Sequence, residues 1–422
     1  MKIAYLYPRY LTNDGGAEVG LTRIVEELAR RGHEITVIAA SPLASDRSFE
    51  RKPRGCRVVA LPRSVWRERA LQFLDSIQYR RGGYRLTRFL ARKGQLWRKL
   101  LLLGKGACCP SLGRRSLYEP YDLVVNYCTT HTSWGIAFDR VLPRLKDKAV
   151  CAVPMSHFHE QVETADVLKT AHRRYDGIEA HTEYERDVLG QRDWDASRIF
   201  VTGVGSDPCD RPIDSQAFRK SHNIPVDAPL IVFVCRKLYL KGVTHLIEAK
   251  EAVWAIHPAA RLALLGFSHN PRAWIDDCLG KSRFGAVSKT INIDDVSEQT
   301  REEALAACNV FAMPSAGESF GIAFLDAWRY SKPVIACRDT CSQSLVSDGE
   351  DGLLVGYENV AELGQALLRL LSDPALAGKL GKNGFAKWDH QYRWEQVAEV
   401  TERGFEALVR RKRESAAGDV RP

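Results

Sequence analysis

Short apolar runs alternate with amphipathic stretches along most of the chain. The run KIAYLYP near the N-terminus predicts a strand, and GGAEVGLTRIVEELARRG then predicts a glycine-rich loop and a helix that ends at Gly32. A second strand begins over residues 35–39. Strand, helix and strand at this spacing form a βαβ unit, so the pattern predicts a parallel sheet. The runs YDLVVNY and AVCAVPM are typical of further buried strands in the same sheet.

A polar, proline-containing stretch at residues 207–213 is typical of a connection between domains. A second alternating series follows it: LIVFVCR, VTHLIEAKEAVWAIH, RLALLGF, EALAACNVFAMPS, GIAFLDAWRYS, PVIAC, GLLV and VAELGQALLRLLSD. The chain is therefore predicted to be an α/β protein with two doubly wound, Rossmann-like domains facing a central cleft. Ligands are expected at the carboxyl ends of the strands.

The predicted boundaries divide the chain into three parts. An N-terminal domain covers residues 1–208, and a C-terminal domain covers residues 209–390. Residues 391–422 are expected to form a helix that packs back toward the N-terminal domain and ends in a frayed tail. A length of 422 residues accommodates two or three domains of ordinary size.

Composition is that of a soluble globular protein, with 45% apolar and 27% charged residues. No apolar stretch is long enough for a membrane span, and the start of the chain does not resemble a signal peptide. The 11 cysteines include no C-x-x-C pair, which argues against a disulfide framework or a zinc site. We therefore expect a cytoplasmic protein with reduced thiols.

Positive charge is concentrated in one segment. Residues 51–115 contain 18 Lys or Arg and only two acids, whereas the whole chain has a net charge of +9. Residues 63–103 mix these cations with Trp and Leu, which is typical of a helix that lies on an anionic membrane or binds an anionic acceptor. The alternative is a helix pair whose apolar stripe packs on the fold and whose cations are solvated. Nucleic acid is not expected, because no known binding motif accompanies the charge.

Candidate chemistry begins in the stretch SAGESFGIAFLDAWRYSKPVIA, residues 315–336. Glu318 stands just before a predicted helix that starts near Phe320 or Gly321, and Asp326 lies in its second turn. Free amides at a helix start form an anion site, and a glycine there lets a ligand approach the backbone closely. Alternatively, the two acids are a helix-terminal charge and a solvated helix residue. The amides concerned belong to Ser319, Phe320, Gly321 and Ile322.

Two cations follow the buried strand of LIVFVCR. Arg236 comes directly after that strand, and Lys241 lies five residues on, before Gly242 and a predicted helix. Two cations on one strand-to-helix loop can hold a diphosphate and neutralise charge on a leaving group. Taken alone, two such cations are usually solvated side chains of a surface loop. An acid pair around a phosphate-binding helix in the same domain favours a ligand with phosphates between two sets of hydroxyls, as in a sugar nucleotide.

These motifs resemble those of the GT-B glycosyltransferases, specifically glycosyltransferase family 4, over nearly the whole chain. The matching blocks are GGAEVGLTRIVEELARRGHEITVI, RIFVTGVGSD, CRKLYLKGVTHLIEA, AACNVFAMPSAGESFGIAFLDAWRYSKPVIA and DGEDGLLV. The resemblance implies that Arg236 and Lys241 contact the donor diphosphate. It also implies that Glu318 contacts the transferred sugar and Asp326 the nucleotide ribose.

The resemblance implies further residues in the N-terminal domain. Gly15 and Gly16 would face the donor phosphates, and His157 would lie near the transferred sugar. A plain turn and a polar core or loop histidine are the alternatives. The chain departs from the family pattern in three places: Asp326 replaces a longer Glu, Ser344 replaces a Glu, and Cys235 replaces a Gly.

The resemblance implies that the protein transfers a sugar with retention of its anomeric configuration. The donor would be a nucleotide sugar, most often a UDP-sugar. The acceptor would be a growing envelope polysaccharide, a lipid-linked saccharide or a small natural product. Neither a cofactor nor a metal is expected, since Asp294 and Asp295 are typical of a loop and no Asp-x-Asp follows a strand. The alternatives are a non-catalytic sugar-nucleotide-binding module and an oxidoreductase. The latter is disfavoured, because no G-x-G-x-x-G follows the first strand.

Overall fold

The computed structural model describes residues 1–11, 15–42, 52–64, 109–127, 138, 141–154, 174–191, 194–268, 272–281 and 286–418. These residues form two compact units. The N-terminal unit takes the described residues up to Gly203 and those from Val397 onward. The C-terminal unit takes Val204–Gln396. Each unit is built on one parallel sheet, as the sequence predicts.

The sheet of the N-terminal unit has seven described strands in the order β3-β2-β1-β4-β5-β6-β7. Chain order runs outward from β1 in one direction and from β4 in the other, which is the doubly wound pattern. Every residue of β4 and β5 is buried, as expected for central strands covered on both faces. The strands are β1 Lys2–Leu6, β2 Glu34–Ala40, β3 Cys56–Leu61, β4 Leu123–Tyr127, β5 Ala149–Val153, β6 Gly177–Ala180 and β7 Ile199–Val201.

The sheet of the C-terminal unit has six described strands in the order β10-β9-β8-β11-β12-β13. Chain order reverses between β8 and β11, so the loops that follow these two neighbouring strands meet at one edge of the sheet. The strands are β8 Leu230–Val234, β9 Arg261–Leu265, β10 Thr290–Ile293, β11 Val310–Ala312, β12 Val334–Cys337 and β13 Gly352–Val355.

Helices connect the strands in both units. The first begins after the glycine-rich loop and buries Leu21, Val25 and Leu28 against the sheet. No helix in the described ranges is both long and apolar enough to cross a bilayer. The helices are α1 Gly16–Arg30, α2 Glu183–Gly190, α3 Ala217–Ser221, α4 Val243–Ile256, α5 Arg272–Gly280, α6 Ala286–Lys289, α7 Glu298–Ala307, α8 Ile322–Trp328, α9 Ser342–Leu345, α10 Val360–Ser372, α11 Pro374–Gln391 and α12 Trp394–Gly418.

From Val397 onward, α12 is part of the N-terminal unit. Leu408 packs so tightly over Gly177 of β6 that a Cβ on the glycine would lie 1.9 Å from the Leu408 Cδ1. The ring of Phe405 meets that of Phe200 edge-on, with centroids 6.0 Å apart. The last helix therefore completes the core of the unit in which the chain begins.

Polar contacts also join α12 to the N-terminal unit. Glu402 accepts a hydrogen bond from Arg31 at 2.7 Å and lies 2.8 Å from the Nε2 of His33. One turn past Leu408, the ammonium of Lys412 lies 2.8 Å from Asp176, at the start of β6. The helix is thus joined by ion pairs to both α1–β2 and β5–β6 connections.

The basic segment, residues 51–115, contains one strand that the sequence pattern did not reveal. Strand β3 pairs with β2 at the edge of the sheet, and only one of its six residues is fully buried. Its residues 58–61 read VVAL and are apolar, but Arg57 and Arg63 flank this short run, so charge dominates the local pattern. Residues 65–108 lie outside the described residues, so an amphipathic helix over 63–103 remains a prediction.

A buried acid lies on β6, beneath α12. Glu179 is 4% exposed; its Oε1 accepts a hydrogen bond from Thr202 at 3.1 Å, and its Oε2 has no hydrogen-bond partner in the described part of the chain. Burial raises the pKa of Glu179 to about 7; the Thr202 bond lowers it and the charge of Glu185 raises it further. Burial raises the pKa values of Tyr5 and Cys151, and the nearby charge of Glu179 raises them further.

This acid makes stability depend on pH. Between its ordinary pKa of 4.5 and its folded pKa of about 7, the folded protein binds more protons than the unfolded chain. The free energy of unfolding therefore falls as pH rises through that window. We expect Glu179→Gln to raise the midpoint of thermal unfolding at about pH 8 and to change it little near pH 4.5. The control is Glu406→Gln, at an exposed acid of α12 that makes no ion pair with the described residues, and it should leave both midpoints unchanged. An equal shift at the two pH values would contradict the assignment.

Candidate active site

The loops after β8 and β11 carry three of the charged residues predicted for the site. Arg236 and Lys241 follow β8, and Glu318 follows β11. The two loops are joined directly, since the amide of Ala316 donates to the carbonyl of Leu240 at 2.9 Å. The sheet order alone brings these residues to one edge of the C-terminal unit.

Gly242 allows the two loops to approach. It ends a single 3₁₀ turn at Tyr239–Lys241 and begins α4 with φ 73°, in the left-handed region that favours glycine. A Cβ at this position would lie 2.1 Å from the carbonyl oxygen of Pro314. Any side chain here would push the cation-bearing loop away from the loop of Glu318.

Lys241 and Glu318 form an ion pair. The Nζ of Lys241 lies 2.6 Å from the Oε1 of Glu318 and also donates to the carbonyl oxygen of Gly317. Their side chains are 6% and 10% exposed. An ion pair this buried costs desolvation energy on both sides, so its retention favours a role in binding or catalysis over one in stability.

Arg236 and its neighbour Lys237 point to opposite surroundings. Arg236 is exposed, and its side chain makes no ion pair or hydrogen bond with the described residues, so its charge is available to an anion. Lys237 is fully buried and donates to the carbonyl of Ile293 at 2.9 Å and to Asp294 at 2.7 Å. Lys237 therefore fixes the loop after β10, a role that the sequence analysis did not identify. Asp294, predicted to lie in a loop, is its partner there.

Helix α8 starts at Ile322, one residue beyond the predicted range. Gly321 precedes it with φ 101°, and a Cβ there would lie 2.7 Å from the ring of Phe324. The amides of residues 318–323 donate no hydrogen bond to any group in the described ranges. Phe320 turns away from these amides and packs edge-on against Tyr392, with centroids 5.6 Å apart. A run of free amides beside two cations is suited to bind an anion such as phosphate.

Asp326 lies in a separate network on the same helix. It is 8% exposed, and its Oδ1 accepts a hydrogen bond from the hydroxyl of Ser206 at 2.7 Å. Arg329 lies 3.2 Å from the same oxygen and 2.8 Å from Glu302. Burial raises the pKa of Glu302, but Arg329 and a hydrogen bond from Tyr330 outweigh it and hold that pKa below its ordinary value. Ser206 and Arg329 were not among the predicted site residues.

The predicted residues of the N-terminal unit lie at the start of α1. Gly15 caps the helix with extended backbone, which any residue can adopt, and Gly16 is its first, exposed residue. Glycine is therefore not needed here for its backbone conformation. What it offers is the absence of a side chain, which lets a ligand approach the backbone. Tyr7, just after β1, donates its hydroxyl hydrogen bond to Glu18 in the first turn of α1, at 2.6 Å. His157 lies outside the described residues.

The described residues do not form a recognisable metal site. Within the ranges that the structure covers, no three His, Cys, Asp or Glu side chains are grouped as a metal site. Ligand binding in the C-terminal unit can instead use three kinds of group. They are the ion pair of Lys241 and Glu318, the exposed Arg236 and the free amides before α8. Together they can bind a dianion and accept hydrogen bonds from hydroxyls next to it.

Comparison with known families places this chemistry in context. Residues 214–387, within the C-terminal unit, match the family described as "Glycosyl transferases group 1". The chain is 28% identical over 241 residues to the D-inositol 3-phosphate glycosyltransferase of Acidothermus cellulolyticus, covering 56% of this chain and 53% of that protein. It is 28% identical over 182 residues to the lipopolysaccharide core biosynthesis glycosyltransferase LpsE of Rhizobium meliloti, covering 43% and 51%. The matched part of the chain thus spans about half the length of these relatives.

Solved structures match the whole fold. HepE of Anabaena, determined with UDP and glucose, has a TM-score of 0.70 at 16% identity, over 96% of this chain and 99% of that one. Sucrose-phosphate synthase of Thermosynechococcus elongatus has a TM-score of 0.71 at 19% identity, over 96% and 98%. At these identities the likeness establishes the fold alone. It confirms the predicted fold class, two Rossmann-like α/β domains of the GT-B type.

Proposed function

We propose that this protein is a glycosyltransferase that moves a sugar from a nucleotide sugar to an acceptor hydroxyl with retained configuration. The observation that carries the proposal is the buried pair of Lys241 and Glu318 beside the exposed Arg236 and the free amides before α8. The match of residues 214–387 to the glycosyltransferase family supports it.

Each group has a part in the proposed reaction. Arg236, Lys241 and the amides at the start of α8 hold the diphosphate and stabilise the charge that it gains as the bond from sugar C1 to phosphate oxygen breaks. Glu318 accepts hydrogen bonds from the sugar hydroxyls and positions the ring. The new bond joins C1 to the acceptor oxygen, and the acceptor proton leaves with the departing diphosphate or with water.

For the donor we propose a UDP-sugar, and for the acceptor an envelope polysaccharide or glycolipid. UDP is supported by the solved structure of HepE with UDP and glucose. The acceptor is supported by the names of LpsE and of WaaG, a glycosyltransferase involved in lipopolysaccharide biosynthesis. A small natural-product acceptor is the alternative. In both cases the reaction requires no metal, because cations and helix amides supply the positive charge.

Thermal-shift titration with UDP-, GDP- and ADP-sugars tests the donor, and release of the nucleotide with and without candidate acceptors tests transfer. Stabilisation by a UDP-sugar together with acceptor-dependent release supports the proposal. Binding without release under all conditions would instead favour a non-catalytic sugar-nucleotide-binding module. A protein that none of the nucleotide sugars stabilises would overturn both functions.

We further propose that residues 63–103 contact an anionic membrane, where the acceptor would be lipid-linked. Each cation near such a surface contributes about 1 kcal/mol, screened beyond about 8 Å at physiological salt. We expect the protein to sediment with anionic vesicles at low salt. A variant with four arginines replaced by glutamine should not, and it should bind the donor as well as the wild type does. The four are Arg80, Arg81, Arg85 and Arg88.

A second fourfold variant is the control for net charge. It removes exposed cations from α11 and α12 and should sediment as the wild type does. If the wild type ignores anionic vesicles at low salt, the acceptor is soluble and the Leu and Trp side chains pack on the fold. The control replaces Lys379, Lys382, Arg403 and Arg410 with glutamine.

A further inference from the structure

Ser206 is fixed by all three of its polar groups. It lies three residues after Gly203, at the start of the C-terminal unit, and is 5% exposed. Its amide donates to the carbonyl of Tyr392 at 2.9 Å, and its carbonyl accepts from the indole of Trp388 at 3.2 Å. Its hydroxyl donates to Asp326. With its main chain bonded on both sides, Ser206 can hold the carboxylate of Asp326 in one orientation.

Only one of the two carboxylate oxygens of Asp326 has partners among the described residues. Both the hydroxyl of Ser206 and the guanidinium of Arg329 approach Oδ1, at 2.7 and 3.2 Å. The other oxygen, Oδ2, accepts no hydrogen bond from a described group, and the side chain keeps 12% exposure. A carboxylate has lone pairs for about four donors, so Oδ2 retains its full capacity to accept.

The helix directs that oxygen toward the proposed donor site. Side chains of an α-helix lean toward its N-terminus, and Asp326 lies one turn after Ile322 on the same face. Its carboxylate therefore leans toward the helix start, where the free amides lie. Asp is one methylene shorter than Glu and has one fewer rotatable bond, so it has less freedom to reach a ligand. A fixed orientation of its carboxylate therefore matters more.

We propose that Ser206 is a positioning residue for the donor nucleotide, which holds Asp326 so that Oδ2 accepts hydrogen bonds from the ribose hydroxyls. This inference rests on the proposed function and adds a residue that the family resemblance does not assign. Arg329 has a broader role, since it also neutralises Glu302, which is 2% exposed, and donates to the carbonyl of Asp207 at 2.6 Å. Ser206 is the partner that can be changed alone.

Calorimetric titration with UDP and with 2′,3′-dideoxy-UDP tests the inference. The wild type should bind UDP about tenfold more tightly than the analogue without ribose hydroxyls. In Ser206→Ala this preference should largely disappear, while affinity for the analogue stays the same. Ser206→Thr keeps a hydroxyl and should keep the preference. In an Asp326→Ala background, where no carboxylate is left to orient, Ser206→Ala should have no further effect on this preference.

The control is Thr401→Val, which removes a buried hydroxyl that donates only to the carbonyl of Val397. It shows what loss of one buried hydroxyl does to stability, and it should bind both nucleotides as the wild type does. If Ser206→Ala keeps the wild-type preference, or weakens both nucleotides equally, the inference is wrong and the proposed function stands. A wild type that binds neither UDP, GDP nor ADP overturns the proposed function, and the inference with it.

Discussion

Replacing Lys241 with alanine is expected to reduce sugar transfer by about 10²-fold or more in a protein that still folds. The variant loses a charge-assisted contact to the proposed diphosphate. It also leaves Glu318, at 10% exposure, without the cation that lies 2.6 Å away. Breaking a buried pair by removing one partner costs about 3 kcal/mol, so the midpoint of unfolding should fall as well. Steady-state transfer and thermal unfolding measure the two effects.

A double variant separates catalysis from stability. Lys241→Met with Glu318→Gln removes both charges and keeps side chains of similar size, so much of the lost stability should return. Transfer should not return with it. Near-normal turnover in the folded Lys241→Ala protein would show that Lys241 does not hold the diphosphate.

Glu318→Gln is expected to lower turnover by about 10²-fold, whereas Asp326→Asn should lower it about tenfold at most. The reason is position: Glu318 would touch the reacting sugar, and Asp326 a ribose remote from the bond that breaks. Asp326→Asn should instead raise the KM for the donor. It keeps an oxygen that can accept from the hydroxyl of Ser206.

The two variants should be compared under saturating donor, so that loss of binding is not mistaken for loss of chemistry. The opposite order, with Asp326→Asn the more damaging to turnover, would mean that the two acids exchange roles. Asp277→Asn is a suitable control. Its exposed side chain on α5 pairs with Lys281 at 2.9 Å, and the change should leave turnover unchanged.

How much of the fold could be predicted depends on burial. Strands such as β1, β4 and β8 are buried on both faces and therefore show as apolar runs. Strand β6 reads GIEA, and the charge of Glu179 hides it even though all four residues are buried. Charge also hides strand β3, because its short apolar run at residues 58–61 is flanked by Arg57 and Arg63.

The candidate site follows a similar rule. Arg236, Lys241 and Glu318 could be identified because they lie in loops that follow strands, and the carboxyl ends of neighbouring strands meet at one sheet edge. The partners of Lys237 and Asp326 could not be identified from the sequence. Lys237 meets Asn292 and Asp294 more than 50 positions away, and Ser206 lies 120 positions from Asp326. Such pairs are set by the sheet order and leave no local spacing in the sequence.

The place of α12 has a consequence for synthesis on the ribosome. Phe200 and the groove over Gly177 are covered by Gly404, Phe405 and Leu408, which are translated more than 200 residues after them. The C-terminal unit, residues 204–396, is complete before them and can fold first. Until α12 emerges, the N-terminal unit exposes an apolar surface to solvent and to chaperones. Nascent chains halted before Val397 should therefore be more sensitive to protease in the first unit than in the second.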